Sequence, residues 1–245
     1  MESKVKTLTV LIPCYNEKAT VFQVLENLTS VKFPNDWNVG FTLVDDCSSD
    51  GSLKEVLKFK SAFPAIPLTV IAQERNLGKG AAIRKGVKHS SSQYIIAQDA
   101  DHELDPSEIP SLLKMASPDA VVFGSRFLDT TQTVRNLNFT ANKFLTWLFN
   151  RLNGTKITDM ETCYKLIPRD AFEKCDLKEN RFGFEPEIAI KLNKQGLEFK
   201  EVKISYKPRS VQEGKKIGFV DGVRAVHCIF RYSLLGGRSG LSLSC

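Results

Sequence analysis

The chain lacks the marks of several large protein classes. It holds no apolar run of about 18 residues, the length that spans a bilayer. Its start, MESKVKTLTVLIPC, has too short an apolar stretch and no small-residue cleavage site for a secretory leader. The expectation from both absences is a cytoplasmic protein. The six cysteines, Cys14, Cys47, Cys163, Cys175, Cys228 and Cys245, form no CxxC pair and have no histidine at zinc-ligand spacing, so reduced thiols are expected. Histidine is scarce, and none of the three has a serine or cysteine partner in a nucleophile motif, which argues against covalent catalysis. There is no GxxxxGK[ST] phosphate loop, no internal repeat and no zinc-finger or RNP-like string. With its basic residues dispersed, the chain is not expected to bind nucleic acid.

What is present fits a globular protein: 245 residues, 42% hydrophobic and 25% charged, with one domain expected over 1–235 and a flexible tail, GGRSGLSLSC, over 236–245. A net charge of +6 suits nucleotides, anionic lipids or phosphorylated substrates without choosing among them. The first half alternates β-rich runs with helical patterns: LTVLIP, FTLVDD, LTVIA and YIIAQD, followed by helices near 18–30, 52–63, 79–89 and 106–116. That alternation predicts an α/β fold with a mostly parallel sheet flanked by helices, and the unbroken apolar strands agree, since such a sheet is buried on both faces. AVVFG is read as a fifth strand and LNFTANKFLTWLFNRL as a helix. EPEIAIKLNKQG is read as a further helix, EFKEVKISYKP as a strand and DGVRAVHCIFRYSLL as a last helix.

In such folds ligands bind beyond the carboxyl ends of the strands. QDADHELDP (98–106) places Asp99 and Asp101 there, two residues apart on an extended segment and so facing the same side. Two like charges at one point call for a cation, and Mg²⁺ or Mn²⁺ held by one or two carboxylates together with substrate phosphates is a suitable partner; Glu103 is a candidate third ligand. The competing reading makes these acids helix caps, the reading adopted for Asp105 ahead of Pro106. Asp45, in VDDCSSDGS, is a candidate acceptor for a nucleobase edge or ribose hydroxyl, whereas Asp50-Gly51 reads as turn chemistry. RNLGKGAAIRKG offers backbone N–H groups and Lys79 to a phosphate, although Lys79 and Arg84 equally suit a solvated helix face. Arg126, Arg209, Lys215 and Lys216 either face a diphosphate or anionic acceptor or form exposed basic surface.

Taken in order, IPCYNE, VDDCSSDGS, RNLGKGAAIRKG, QDADHELDP, GSR, TDMETCYKL and FGFEPEIAIKL resemble glycosyltransferase family 2, the inverting GT-A enzymes, over about residues 7–232. The likeness is strongest to the dolichyl-phosphate mannose synthase branch and related polyprenyl-phosphate glycosyltransferases. The resemblance implies that Pro13, Tyr15, Glu17, Asp45 and Asp46 hold the nucleotide of a GDP- or UDP-sugar. It also implies that Asp99, Asp101 and Glu103 bind Mg²⁺ or Mn²⁺, and that Arg126 and Arg209 face phosphates of donor or acceptor. The implied reaction carries a hexose to a polyprenyl phosphate. Glu103 stands where some relatives have Gln, and Cys163 where the mannose synthases have Gly.

Were the acceptor a hydroxyl, a base would be required, and Asp159 is the first candidate, with a salt bridge or cap as its competing role. Transfer to a glycan or protein hydroxyl, and nucleotide-sugar binding without turnover, remain alternatives. In 221–235, Arg224, His227 and Arg231 share one helical face beside an apolar one. That helix either lies on an anionic membrane surface or packs against the sheet, and a membrane partner subunit is a further candidate.

Overall fold

The computed structural model describes residues 5–128, 137–209 and 219–235. Four strands, β1 (Lys6–Cys14), β2 (Trp37–Asp45), β3 (Leu68–Ala72) and β4 (Tyr94–Ala97), are joined by the helices α1 (Val21–Thr29), α2 (Ser52–Ala62) and α3 (Lys79–Lys88). A short 3-10 turn (Pro106–Glu108) and α4 (Ile109–Leu113) lead to β5 (Ala120–Ser125) and α5 (Leu137–Asn153). The chain then forms β6 (Lys165–Pro168), α6 (Arg169–Lys174), α7 (Phe184–Lys194), β7 (Glu198–Lys203) and α8 (Phe219–Leu235).

The strands make one seven-stranded sheet in the order β3-β2-β1-β4-β6-β5-β7. β1 runs parallel to β2 and β4, β2 to β3, and β5 to β7, while β6 is antiparallel to both its neighbours. The expected parallel sheet is therefore present, with one reversed strand. Side chains of a strand alternate between faces. Leu8, Val10, Ile12 and Cys14 of β1 accordingly enter the core against α1 and α2, and Leu11 enters the core against α3 and α7. The same division separates Tyr94 and Ile96 from Ile95, and Val122 from Val121 and Phe123. In α1 the buried residues Val21, Val24, Leu25 and Leu28 recur at helical spacing, so one apolar stripe meets the sheet.

Three expectations change in detail. The helix expected over 106–116 is split: Pro106 and Pro110 start short turns, and the α-helical part is confined to Ile109–Leu113. The strand expected over 198–208 ends at Lys203, because beyond Ser125 it has no partner strand to pair with. β6 and α6 were absent from the sequence reading. β6 is only four residues long and lies between two strands that run the other way. Lys215, Lys216 and the tail 236–245 lie outside the described residues.

α8 packs on the helices α5 and α7, where the sequence offered packing on the sheet, and buries Ala225, Cys228 and Ile229. Its other side leaves Val223, Phe230 and Leu234 exposed, and α5 exposes Phe144 and Trp147, whose rings stack at 5.9 Å. Among the described residues no helix is long and apolar enough to cross a membrane.

Candidate active site

Because β1 to β4 are parallel, the loops that follow them open on one edge. The chain leaves β1 for α1 on one face and β3 for α3 on the other, which makes the β1/β4 boundary a switch point where a crevice forms. The first two loops are fastened together. The Asn16 and Glu17 amides donate to the Ser48 and Ser52 hydroxyls at 3.0 and 2.8 Å, and Ser49 N–H donates to the Asn16 side chain at 2.9 Å. Asp50 accepts from Ser52 N–H and Lys18 N–H, the turn role expected of it. Pro13 sits inside β1 opposite Val44, and Tyr15 projects at the surface of the first loop.

Asp45 is buried at the end of β2, where one carboxylate oxygen accepts from Ser48 N–H at 3.1 Å. Its other oxygen, Oδ1, is buried and has no hydrogen-bond partner among the described residues. A buried acceptor left unmade is costly, and here it faces the edge where a ligand is expected. Asp46 differs. Its two oxygens accept from Gln73 Nε2 at 2.6 Å, Leu77 N–H at 2.8 Å and Gly78 N–H at 2.7 Å. Asp46, expected at the nucleotide, fixes the loop before α3 through these three bonds.

Asp99 and Asp101 follow β4. Lys79, the first residue of α3, lies 2.8 Å from Asp99 and 3.5 Å from Glu185, and Glu185 also pairs with the buried Lys165. Burial works to lower the Lys79 pKa, but Asp99 and Glu185 outweigh it and hold the ammonium well above its usual range. Burial likewise works to raise Asp99, and Lys79 brings it below the ordinary carboxylate value. Asp101 has the opposite balance: burial, with Asp99 alongside, pushes it up to about 7. Arg209 meets it directly, and the same guanidinium reaches Glu17 at 3.0 Å and Glu103 at 3.8 Å.

Hard oxygen donors two residues apart, one of them raised by burial and then by the charge of the other, fit a divalent cation that takes its remaining ligands from phosphate and water. Glu103 does not join them. Its oxygens accept from Arg209 N–H at 2.9 Å and Tyr206 O–H at 3.1 Å, and among the described residues no group of three His, Cys, Asp or Glu side chains gathers to hold a metal. The expected three-ligand set thus reduces to the Asp99/Asp101 pair, because Glu103 is committed to the segment after β7.

Arg126 lies just past β5. It donates to Asp159 through Nε at 2.7 Å and Nη2 at 2.8 Å, and its plane lies 5.0 Å from the Tyr206 ring. Asp159 is fully buried, and its backbone is held by Glu201 of β7. Both its oxygens bind Arg126 and neither is exposed, which is the salt bridge weighed as its competing role. Arg84 also departs from both its readings: it donates to the Glu179 carbonyl at 2.5 Å and to Asn180.

The sequence reading passed over Glu161, Lys165, Glu185 and Tyr206. Glu185 had a legible signal, since it is one of two acids, with Glu187, that open the helix in FGFEPEIAIKL among the buried Phe184, Ile188, Ile190 and Leu192. The others had none, because their positions depend on β6 and on the segment after β7.

The sequence profile of glycosyl transferase family 2 matches residues 9–176, more than half of the chain. An undecaprenyl-phosphate 4-deoxy-4-formamido-L-arabinose transferase of Aeromonas hydrophila is 26% identical over 86% of this chain and 63% of its own length. A dolichyl-phosphate beta-glucosyltransferase, ALG5A, of Trichomonas vaginalis is 28% identical over 81% of this chain and 65% of its own. The chain thus spans less than two thirds of these relatives. Among solved structures, the mannosyltransferase PcManGT from Pyrobaculum calidifontis, in complex with GDP-Man and Mn²⁺, aligns with a TM-score of 0.68 at 18% identity, over 95% of this chain and 65% of that one. At that identity the likeness speaks for the fold, and the sheet order agrees with the GT-A architecture expected from the sequence. Profile, relatives and fold converge, and the chain belongs to glycosyl transferase family 2.

Proposed function

We propose that this protein is an inverting, metal-dependent glycosyltransferase that moves a hexose from a nucleotide diphosphate sugar to a polyprenyl phosphate. The observation that carries this reading is the grouping at one sheet edge of the Asp99/Asp101 pair with Lys79, Arg126 and Arg209, beside the unpaired Oδ1 of Asp45. The relatives named for transfer to undecaprenyl and dolichyl phosphate support the acceptor class. The neighbour holding GDP-Man and Mn²⁺ supports the donor class and the metal.

In this reading Asp45 Oδ1 accepts from the nucleobase or ribose, and the first loop, with Pro13, Tyr15 and Glu17, borders the nucleotide. Asp99 and Asp101 hold Mg²⁺ or Mn²⁺. The chemistry such an ion supplies is neutralisation of the charge that develops on the diphosphate as the glycosidic bond breaks. Arg126 and Arg209 receive the acceptor phosphate, whose oxygen attacks the anomeric carbon from the side opposite the leaving group and inverts it. A phosphate monoester with a second pKa of about 6 arrives ionised and needs no base. The engagement of Asp159 by Arg126 agrees with that, since it fixes the guanidinium and occupies both oxygens of Asp159. The exposed Phe144, Trp147, Val223, Phe230 and Leu234, together with the net positive charge, support peripheral association with an anionic membrane surface.

The test is to incubate the protein with Mn²⁺, dolichyl or undecaprenyl phosphate and a panel of GDP- and UDP-sugars, following label into the organic phase. Transfer from one donor is expected, and Asp101→Asn is expected to abolish it with the fold intact. Retention of wild-type turnover by that variant would refute the metal site. Donor hydrolysis or transfer to a hydroxyl with no lipid product would refute the acceptor.

A further inference from the structure

The segment between α5 and β6 is pinned at two points. Asp159 holds Arg126 at the end of β5, and four residues on the Cys163 thiol donates to the Ala97 carbonyl at 3.6 Å, at the end of β4 beside Asp99. Glu161 stands midway. Its surroundings are charged on every side: Glu185 of α7, Lys165 of β6, Arg126 after β5 and Asp159 in its own segment. Despite these neighbours, Glu161 Oε1 is buried with no hydrogen-bond partner among the described residues, and the hydroxyl of the fully buried Thr162 next to it is likewise unpaired. The rest of the Glu161 residue is only partly covered. An unsatisfied carboxylate oxygen on a residue that is itself only partly covered points to a polar ligand that completes it.

The place of these groups identifies the ligand, on the footing of the reaction proposed above. In an inverting displacement the sugar lies between the departing diphosphate and the attacking phosphate. The first belongs at Asp99 and the second at Arg126, so the sugar occupies the space that the segment carrying Glu161 spans. We propose that Glu161 determines which hexose the enzyme transfers, by taking a sugar hydroxyl of the donor. Burial beside Glu185 pushes its carboxyl up to about 7, so near neutrality it both donates to and accepts from hydroxyls. A site built to pair with a hydroxyl rejects an epimer that places it elsewhere, since the buried carboxyl is then left unpaired.

The experiment compares wild type, Glu161→Ala and the isosteric Glu161→Gln. Calorimetry with Mn²⁺ measures affinity for GDP and UDP, and steady-state transfer measures kcat/KM over a panel of donors that differ at one hydroxyl. The expected result is nucleoside diphosphate affinity unchanged in both variants. Glu161→Ala is expected to lose roughly 10- to 100-fold in kcat/KM on the preferred donor, about what one charged hydrogen bond is worth, with a much smaller loss on the epimers. Glu161→Gln, which still donates and accepts, is expected to recover most of the rate. An unchanged donor ranking in a folded Glu161→Ala overturns the proposal, as does an equal loss of nucleoside diphosphate affinity, which would mark a structural role. If wild type binds nucleoside diphosphate yet transfers no sugar, the transferase reading falls and this proposal falls with it.

Discussion

Asp101 has a guanidinium against it and another carboxylate beside it, so charge balance at this one residue governs how readily it takes a divalent cation. Arg209 supplies the positive charge in the described state, reaching Glu17 and Glu103 as well. A metal ion at Asp101 and the arginine compete for the same oxygen. Arg209→Gln is therefore expected to raise Mn²⁺ affinity in the absence of nucleotide by roughly three- to tenfold, the worth of a modest ion pair, while lowering transfer to lipid phosphate. Titration of free Mn²⁺ by electron paramagnetic resonance reads the first effect directly. A fall in affinity would mean that Arg209 organises the carboxylates for the ion. At this scale residue type and strand-end position singled out Asp99, Asp101 and Arg126 in the sequence, while Arg209 came only from a basic loop and the family resemblance. The hydrogen bonds that Asp46 accepts from the loop before α3, and the Arg126 pairing of Asp159, were not legible there, because a carboxylate's partners cannot be read from its neighbours in the chain.

The loop between β3 and α3 shows what an element needs from a distant one. Gly78 adopts a φ of 97°, and a Cβ added there would stand 2.6 Å from the Asn180 carbonyl oxygen and 2.7 Å from the Arg181 side chain. Its amide, with that of Leu77, is fixed by Asp46 from the end of β2. The result sets the start of α3, and hence Lys79 against Asp99. Gly78→Ala is expected to destabilise the protein by about 2–4 kcal/mol through backbone strain and overpacking, read as a lower denaturation midpoint. Activity is expected to fall further than stability accounts for, since Lys79 shifts with the helix. Wild-type stability in this variant would show that the 179–181 segment yields freely. Glycine and lysine in RNLGKG were visible as a helix start, but the closeness of residues 179–181, about a hundred positions on, was not.

Over the whole molecule, five of the exposed large apolar residues, Phe144, Trp147, Val223, Phe230 and Leu234, lie on α5 and α8, which pack together. An exposed stacked pair such as Phe144 and Trp147 buries well only against another surface. Trp147→Glu combined with Phe230→Glu is expected to weaken binding to vesicles containing anionic phospholipid by roughly 10- to 100-fold in a flotation assay, from lost apolar burial and added repulsion. Transfer to a short-chain, water-soluble polyprenyl phosphate is expected to stay near wild type, because both side chains lie on exposed helix faces and neither is among the charged residues grouped at the sheet edge. Equal binding by wild type and variant would remove these helices from any membrane contact.

The parallel core, its helices and the order of its loops were legible in the sequence because burial on both faces writes an unbroken apolar strand, and burial on one face writes a helical stripe. β6 escaped that reading, since four residues in a reversed strand carry too little periodicity to stand out from KLIP alone. The same strand brings Lys165 to Glu185, and both, with Arg126, surround Glu161. Residue type and position at a strand end thus determined which groups are available for chemistry. Only the tertiary structure decided which are already paired and which remain for a ligand, because hydrogen bonds and ion pairs form between groups that folding, not sequence order, makes neighbours.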